Sequence, residues 1–213
     1  MNTFKNEDGK SILLKMVSVI QANKDYLGDV DGQIGDGDHG ANMNKGFTEF
    51  EKKYEAENFS FTDGLDKLGT VLEEDIGGSM GPIYGTIFLS MAEAGEDLED
   101  IGLSDFTNML EHGLEELEDI VEAREGDKTL VDTLSPSVKT LKQAVEQGKT
   151  FADALRDMKQ AAEAGKDSTK DMVARYGRSA RLGERSRGVL DAGATSCCLI
   201  LQAMADGIAE KLG

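Results

Sequence analysis

Apolar residues recur at helical spacing along almost the whole chain, and no segment alternates between apolar and polar residues as a strand would. One such stripe runs from Ile12 through Met16 to Ile20, and seven more follow it. We therefore predict an all-α fold of about eight antiparallel helices. The predicted helices cover residues 12–20, 43–54, 65–76, 82–91, 104–121, 129–147, 151–172 and 193 to near the C-terminus.

Local signals place several helix ends. Ser104 is a suitable N-cap for the fifth helix, because its hydroxyl can accept a backbone N–H. Gly148 is a helix stop for the sixth, since glycine tolerates the left-handed conformation found after helices. Gly165 predicts a break in the seventh helix, which would resume through Met172.

Length and charge narrow the class of protein. A chain of 213 residues fits one domain, and we expect residues 1–213 to form one unit. The net charge of −18 argues against nucleic acid and anionic membranes as partners, because both attract positive charge.

The sequence begins with polar residues and has no apolar run approaching the roughly 20 residues of a membrane helix. Cys197 and Cys198 are adjacent and lie in an apolar run, which predicts reduced core residues in a cytoplasmic protein.

Four glycine-rich segments interrupt the helices, at residues 28–42, 76–82, 125–129 and 176–193. Each follows an odd-numbered helix in the predicted order. In an up-and-down arrangement, connections of that parity lie at the same end of the domain. We therefore expect all four segments to meet at one rim, where a single ligand could contact them.

The first glycine-rich segment contains a cluster of acidic residues, Asp31, Asp36 and Asp38. Carboxylates held this close repel one another, so the fold needs a cation or must protonate one of them. All-oxygen ligands favour Mg²⁺ or Ca²⁺ over zinc. An EF-hand is excluded because, counted from Asp29, the sixth residue is not glycine and the twelfth is not glutamate. A solvated acidic turn remains an alternative.

Two further segments open helices and could receive phosphate through free backbone N–H groups. The first is Gly77-Gly-Ser-Met-Gly-Pro82, for which a simple turn is the alternative. The second is Gly126-Asp-Lys-Thr129, for which ordinary capping by Asp127 is the alternative. His39 could act as a general base or hold its own turn, and His112 is expected to be structural or exposed.

Five of the seven arginines lie between Arg175 and Arg187, in a chain that is otherwise acidic. Guanidinium groups suit phosphate oxygens and carboxylates, so this density predicts an anion site. Salt bridges to neighbouring helices are the alternative for one or two of these arginines. Asp191, just before the last predicted helix, is a candidate cap or ligand.

Five sequence words occur in the order found in a known family, and together they span essentially the whole chain. The words are Ile34-Gly-Asp-Gly-Asp-His-Gly-Ala-Asn-Met-Asn44, Gly77-Gly-Ser-Met-Gly-Pro-Ile-Tyr-Gly85, Gly126-Asp-Lys-Thr129, Gly177-Arg-Ser-Ala-Arg-Leu-Gly-Glu-Arg-Ser186 and Asp191-Ala-Gly-Ala-Thr-Ser196. Through them the chain resembles the nucleotide-binding L subunit of dihydroxyacetone kinase.

The resemblance implies an antiparallel eight-helix barrel with ADP or ATP bound at one rim. It implies that Asp31, Asp36 and Asp38 hold two Mg²⁺ ions that clamp the phosphates. It assigns no catalytic general base to this chain. The residues it places around the nucleotide are His39, Gly40, Ala41, Asn42, Ser79, Met80, Gly126, Leu130, Arg178, Asp191, Ala192 and Gly193.

Two segments depart from the family pattern. Ala192 replaces a proline that commonly precedes the last helix, which should loosen the loop slightly. Residues 119–125 are acidic where the family often has a basic, glycine-containing segment, so a nucleotide contact near Val121 is open to question.

The implied activity is phosphoryl transfer to a small hydroxyketone, dihydroxyacetone in the first instance, held by a separate K subunit. A phosphotransferase-system protein would recharge bound ADP to ATP, a mode that stand-alone L subunits favour; free ATP is the other donor. An ADP-sensing regulatory protein without turnover, a kinase subunit for another ketose or tetrose, and a structural calcium-binding domain are the alternatives. The sequence leaves a homodimer open.

Overall fold

The structure, a computed structural model, describes residues 3–212, and over that range the chain forms nine α-helices and one short antiparallel ribbon. The all-α prediction is confirmed. The strands are β1 (Thr3–Lys5) and β2 (Asp100–Gly102). The helices are α1 (Lys10–Ala22), α2 (Lys24–Gly32), α3 (His39–Tyr54), α4 (Phe61–Asp75), α5 (Met80–Ala94), α6 (Leu103–Ile120), α7 (Val131–Glu146), α8 (Phe151–Ser168) and α9 (Ala192–Ala209).

The helices bury the apolar stripes that predicted them. In α1, the side chains from Ile12 to Ile20 that form the stripe are fully buried. Burial of each such side chain contributes about 1.5–3 kcal/mol relative to exposure. The buried apolar residues of the successive helices join in a single hydrophobic cluster. The stripe period therefore determines which face of each helix turns inward.

The helices contact one another as a closed circuit. Starting from α1, the contacts run to α3, α4, α5, α6, α7, α8 and α9, and α9 returns to α1. Helix α2 lies outside this circuit and packs on α3 and α9. The connections that follow α2, α4, α6 and α8 can therefore meet at one end of the molecule.

Side-chain caps set several helix starts. The hydroxyls of Ser60 and Thr150 accept the backbone N–H groups three residues on, both at 3.1 Å, and so cap α4 and α8. Gly148 ends α7 with φ +64°, and the next N–H returns to the carbonyl of Ala144. The predicted glycine stop is therefore confirmed.

Helix α2 corrects the prediction of a long loop over residues 28–42. The loop is only residues 33–38, because α2 runs through Gly32 and α3 begins at His39. Helix α2 has only nine residues and buries only Leu27 and Val30, so its own periodicity is weak. Its contacts with α3 and α9 provide the stabilisation that its sequence lacks.

Two other predictions about the elements were wrong. Helix α6 has Gly102, not Ser104, as its N-cap, and the Asp105 carboxylate accepts the Gly102 N–H at 2.9 Å. Helix α8 does not break at Gly165 but continues through Ser168. A side chain at Gly165 would lie 2.2 Å from the carbonyl oxygen of Asp132, so this glycine permits close packing of α7 and α8.

The β1–β2 ribbon was also absent from the prediction. It pairs Phe4 with Ile101, and both side chains are buried. The Phe4 ring lies 5.4 Å from that of Phe61, in an edge-on arrangement, and 6.4 Å from that of Phe151. With three residues in each strand, the ribbon is too short for an alternating pattern to be recognised.

Helix α9 has the length and apolar composition of a membrane-crossing helix, which the sequence analysis did not find. Within the fold, 72% of this segment is buried. Its apolar residues contact α1, α7 and α8, so they form part of the core.

Candidate functional site

The four glycine-rich segments line one cavity of about 640 Å³ at the end of the molecule predicted to carry them. This volume lies within the usual range of small-molecule sites, about 300–1,000 Å³. The lining combines acidic, apolar and cationic groups from elements far apart in the sequence. They include Asp31, Ile34, Asp36, Asp38, His39, Asn42, Ser79, Met80, Tyr84, Val121, Lys128, Leu130, Tyr176, Arg178, Asp191, Ala192 and Gly193.

The three predicted carboxylates converge on one side of this cavity. Asp31 comes from the last turn of α2, whereas Asp36 and Asp38 come from the loop before α3. One oxygen from each lies within 4.8 Å of the other two. The turn between them passes through Gly37, whose φ of +77° favours glycine. An all-oxygen cluster of this kind fits a hard cation such as Mg²⁺.

Arg178 contacts the acidic cluster directly. One guanidinium nitrogen pairs with Asp36, and another lies 3.8 Å from Asp38. The arginine side chain is 60% exposed, so this contact is a weak surface interaction by itself. It nevertheless shows that the acidic loop and the arginine-rich segment meet at the cavity.

A buried hydrogen-bonded group lies beneath the acidic cluster. The Nε2 atom of His39 is 2.8 Å from the Ser196 hydroxyl, which is 2.6 Å from the Tyr84 hydroxyl. The His39 backbone N–H also donates to Asp31 at 3.3 Å. Burial lowers the pKa of His39 to about 4, against the opposing charge of Asp31, so its imidazole is neutral at pH 7. The group links α3, α5 and α9 to the acidic loop.

The start of α5 supplies backbone N–H groups to the cavity. Gly78 has φ +79° with open space beside it, so glycine is needed there for conformation rather than for packing. Ser79 is the N-cap residue and makes no capping bond through its side chain. The first N–H groups of α5 lack helical partners and are suited to an anionic ligand.

The start of α9 is capped on the same side. Asp191 accepts the Ala194 N–H at 2.8 Å, and its own N–H donates to Thr169 at 3.0 Å. Burial raises the pKa of Asp191 to about 6, while the bond from Ala194 and the charge of Lys128 act in the opposite direction. Asp191 is therefore a cap that still lines the cavity.

The Gly126–Thr129 turn is held by two aspartates. Capping of the next helix by Asp127, the alternative considered for this segment, does not occur, because Leu130 occupies the N-cap position. Asp132, in the first turn of α7, instead accepts the N–H groups of Gly126 and Thr129. Asp127 accepts the N–H of Arg124 at 2.8 Å and pairs with Arg175 at 3.1 Å.

Lys128 lies at the centre of this turn and was not predicted to be part of the site. It has φ +63°, a conformation that side chains other than glycine and asparagine seldom adopt. Such backbone geometry costs on the order of 1–3 kcal/mol and needs support from its surroundings. Lys128 is 1% exposed, and its ammonium donates to the carbonyls of Thr169 and Val189.

Nine of the twelve residues expected around the nucleotide line the cavity, and three do not. Gly40 packs against α2, where a Cβ would lie 2.0 Å from the Lys24 carbonyl oxygen. Ala41 is exposed, and Gly126 donates its N–H to Asp132. Val121, whose contact was questioned, does line the cavity.

Sequence reasoning missed Lys128, Tyr84 and Ser196. Tyr84 and Ser196 lie within words that carry the resemblance, but nothing in those words marks them as site residues. The Tyr84–Ser196 and His39–Ser196 contacts join residues 112 and 157 positions apart, so only the fold brings them together.

The model of the family described as DAK2 domain matches residues 33–206. A Listeria innocua protein named PEP-dependent dihydroxyacetone kinase 1, ADP-binding subunit DhaL, is 40% identical over 87% of this chain and 88% of its own length. The Escherichia coli protein named PEP-dependent dihydroxyacetone kinase, ADP-binding subunit DhaL, is 35% identical over 91% of this chain and 92% of its own length.

The fold is also similar to that of the C. freundii dihydroxyacetone kinase, whose structure was solved in complex with AMP-PNP and Mg²⁺. The TM-score is 0.69 at 21% identity, and the match covers 92% of this chain. It covers only 33% of the C. freundii chain, so this protein corresponds to about a third of that enzyme.

Proposed function

This chain belongs to the DAK2 domain family, and we propose that it is the nucleotide-binding subunit of a dihydroxyacetone kinase. It would hold ADP or ATP with magnesium and transfer a phosphoryl group to a small hydroxyketone on a separate K subunit. The observation that carries the proposal is the cluster of three carboxylates within 4.8 Å, in contact with Arg178 and lining a cavity of about 640 Å³.

Asp31, Asp36 and Asp38 are the residues that would hold the metal, as two Mg²⁺ ions in our proposal. Three carboxylates within a few ångströms favour a bound divalent charge, and oxygen ligands match magnesium. The bound ions would neutralise charge on the nucleotide phosphates. Asp31 also accepts the His39 N–H, which helps to fix its carboxylate at the end of α2.

The remaining walls of the cavity suit the rest of a nucleotide. The free N–H groups at the start of α5 are placed for phosphate oxygens. Met80, Ile83 and Leu130 offer apolar surface to a planar base. Arg178, beside the acidic cluster, would approach the phosphates and compensate negative charge during transfer. These roles are positioning and electrostatic, so no general base is required from this chain.

The names of the relatives favour a recharged coenzyme over free ATP as the immediate donor. The Listeria and E. coli proteins, which match over most of their length, are named as PEP-dependent. A Pectobacterium atrosepticum protein named L-erythrulose kinase is 31% identical, but the match covers 32% of it. We therefore propose a K subunit and a phosphotransferase-system donor as partners, with dihydroxyacetone as the acceptor.

Calorimetric titration of the protein with ADP and Mg²⁺ tests the nucleotide site. Asp36→Asn should weaken Mg²⁺-dependent ADP affinity at least about tenfold, because it removes one charge from the metal ligands. Asp66→Asn is a matched control, since Asp66 is an exposed aspartate on α4 outside the cavity. Equal affinities for the wild type and Asp36→Asn would contradict the assigned role.

Turnover with a purified K subunit, dihydroxyacetone and a recharging system distinguishes a kinase subunit from an ADP-sensing protein. ADP binding without turnover in the reconstituted system would favour the sensor. Replacing dihydroxyacetone with erythrulose in the same assay tests the choice of acceptor.

A further inference from the structure

The arginine-rich segment is a long connection between two helices. Its two ends, which we call its base, need to be held together. It leaves the end of α8 and enters α9, and we define residues 170–188 as the arginine loop. Within it, residues 179–186 form irregular 3₁₀ turns that change direction at Gly183. Arg178 lies at its centre, and its position over the acidic cluster depends on where the loop is held.

Lys128 binds both ends of this loop. Its ammonium donates to the carbonyl of Thr169 at 2.6 Å and to the carbonyl of Val189. These residues stand immediately before and after the arginine loop. A single buried cation from the Gly126–Thr129 turn therefore bridges the two chain segments where the loop begins and ends.

Other bonds close the same base. The Gly188 N–H donates to the Lys170 carbonyl at 2.7 Å, and the Asp191 N–H donates to the Thr169 hydroxyl at 3.0 Å. These are contacts between neutral donors and acceptors within the loop region itself. Lys128 adds charge-assisted bonds, which are stronger, and connects the base to α7 and the rest of the fold.

The backbone of Lys128 supports a role beyond filling space. At φ +63° glycine or asparagine would be favoured, yet the position holds a lysine whose side chain is 1% exposed. This geometry directs the ammonium toward the two carbonyls. The Gly126–Thr129 turn is itself fixed by Asp132, which accepts two of its N–H groups.

We propose that Lys128 is a positioning residue that holds the two ends of the arginine loop together and thereby keeps Arg178 over the nucleotide phosphates. The loop-holding part stands on the contacts alone, whereas the effect on nucleotide binding rests on the proposed function. Lys128 acts through the loop and has no assigned contact with the reacting groups.

The first test measures hydrogen exchange of residues 170–188 in the ligand-free protein. Lys128→Met keeps an apolar chain of similar length but loses the ammonium, and the exchange protection of the loop should fall about tenfold. Lys128→Gly relaxes the backbone and also loses the ammonium, so it should show the same loss while preserving the fold. Lys139→Met is the matched control, because Lys139 is an exposed lysine on α7 paired with Glu125.

The second test is a double-mutant cycle for Mg²⁺-dependent ADP binding, with melting temperature recorded for every variant. Lys128→Gly should weaken affinity about tenfold in the wild type but less than about twofold when combined with Arg178→Ala. A merely structural lysine would lower the melting temperature while its effect on affinity added independently to that of Arg178→Ala.

Unchanged exchange of the arginine loop in both Lys128 variants, or additive effects in the cycle, would overturn the proposal. Failure of the wild type to bind ADP would overturn the proposed function instead, and the exchange experiment would then decide the role of Lys128 alone.

Discussion

The buried carboxylate of Asp191 should make the free energy of unfolding depend on pH in a direction opposite to that of most acidic groups. Its pKa rises from 3.8 to about 6 on folding. Between these values the folded protein binds more protons than the unfolded chain. This contribution to stability is therefore complete below about pH 4 and is lost as the pH rises through about 6.

The magnitude follows from the shift of about two pH units, which corresponds to about 3 kcal/mol. Asp191→Asn removes the titration while keeping a side-chain oxygen that can accept the Ala194 N–H. We expect the two proteins to have similar stability near pH 4. Above pH 7 the asparagine variant should be more stable by up to about 3 kcal/mol. The gain is reduced by the favourable interaction that Lys128 loses when the negative charge of Asp191 is removed.

Urea unfolding of both proteins at constant ionic strength, from pH 4 to pH 8 and without nucleotide or metal, provides the assay. The difference between the two curves cancels the titration of the other acidic groups. A difference that stays constant with pH would refute the raised pKa. A variant that becomes relatively less stable as the pH rises would show that Asp191 has a lowered pKa.

Two further predictions concern contacts that join neighbouring helices. Gly165→Ala should destabilise the protein by about 1–3 kcal/mol in urea unfolding, because the new Cβ would lie 2.2 Å from the Asp132 carbonyl oxygen; Gly77→Ala, with open space beside it, is the control. Ser196→Ala should cost about 1–3 kcal/mol, because it removes a partner from both Tyr84 and His39; a melting temperature equal to that of the wild type would contradict this.

Most of the fold could be predicted because periodicity is a local property. The stripe in α1 determines its buried face, and Gly148 ends α7 through its own backbone preference. Helix α2 could not be predicted in this way. Its Gly28 discourages a helix, and the helix depends on the close approach of α3, where a Cβ on Gly40 would lie 2.7 Å from the Gly28 nitrogen.

The candidate site likewise has one part that local sequence predicts and another that only the fold reveals. The acidic loop and the arginine-rich segment are concentrated in sequence, so their composition indicates their chemistry before any fold is known. Lys128 gives no such sign, because its partners lie 41 and 61 residues away and its positive φ is unusual for lysine. Its importance follows from which chain segments the fold brings beside it.

The closed circuit of helices has a consequence for synthesis on the ribosome. Helix α1 is made before the other helices of the circuit, yet one of its neighbours there, α9, is made after all of them. Until α9 emerges, the nascent chain carries an open seam between α1 and α8, with apolar residues facing water. Contacts between such distant parts of a sequence form slowly, and partly made chains of this kind are prone to aggregate. The core of this domain therefore closes only after α9 has emerged from the ribosome.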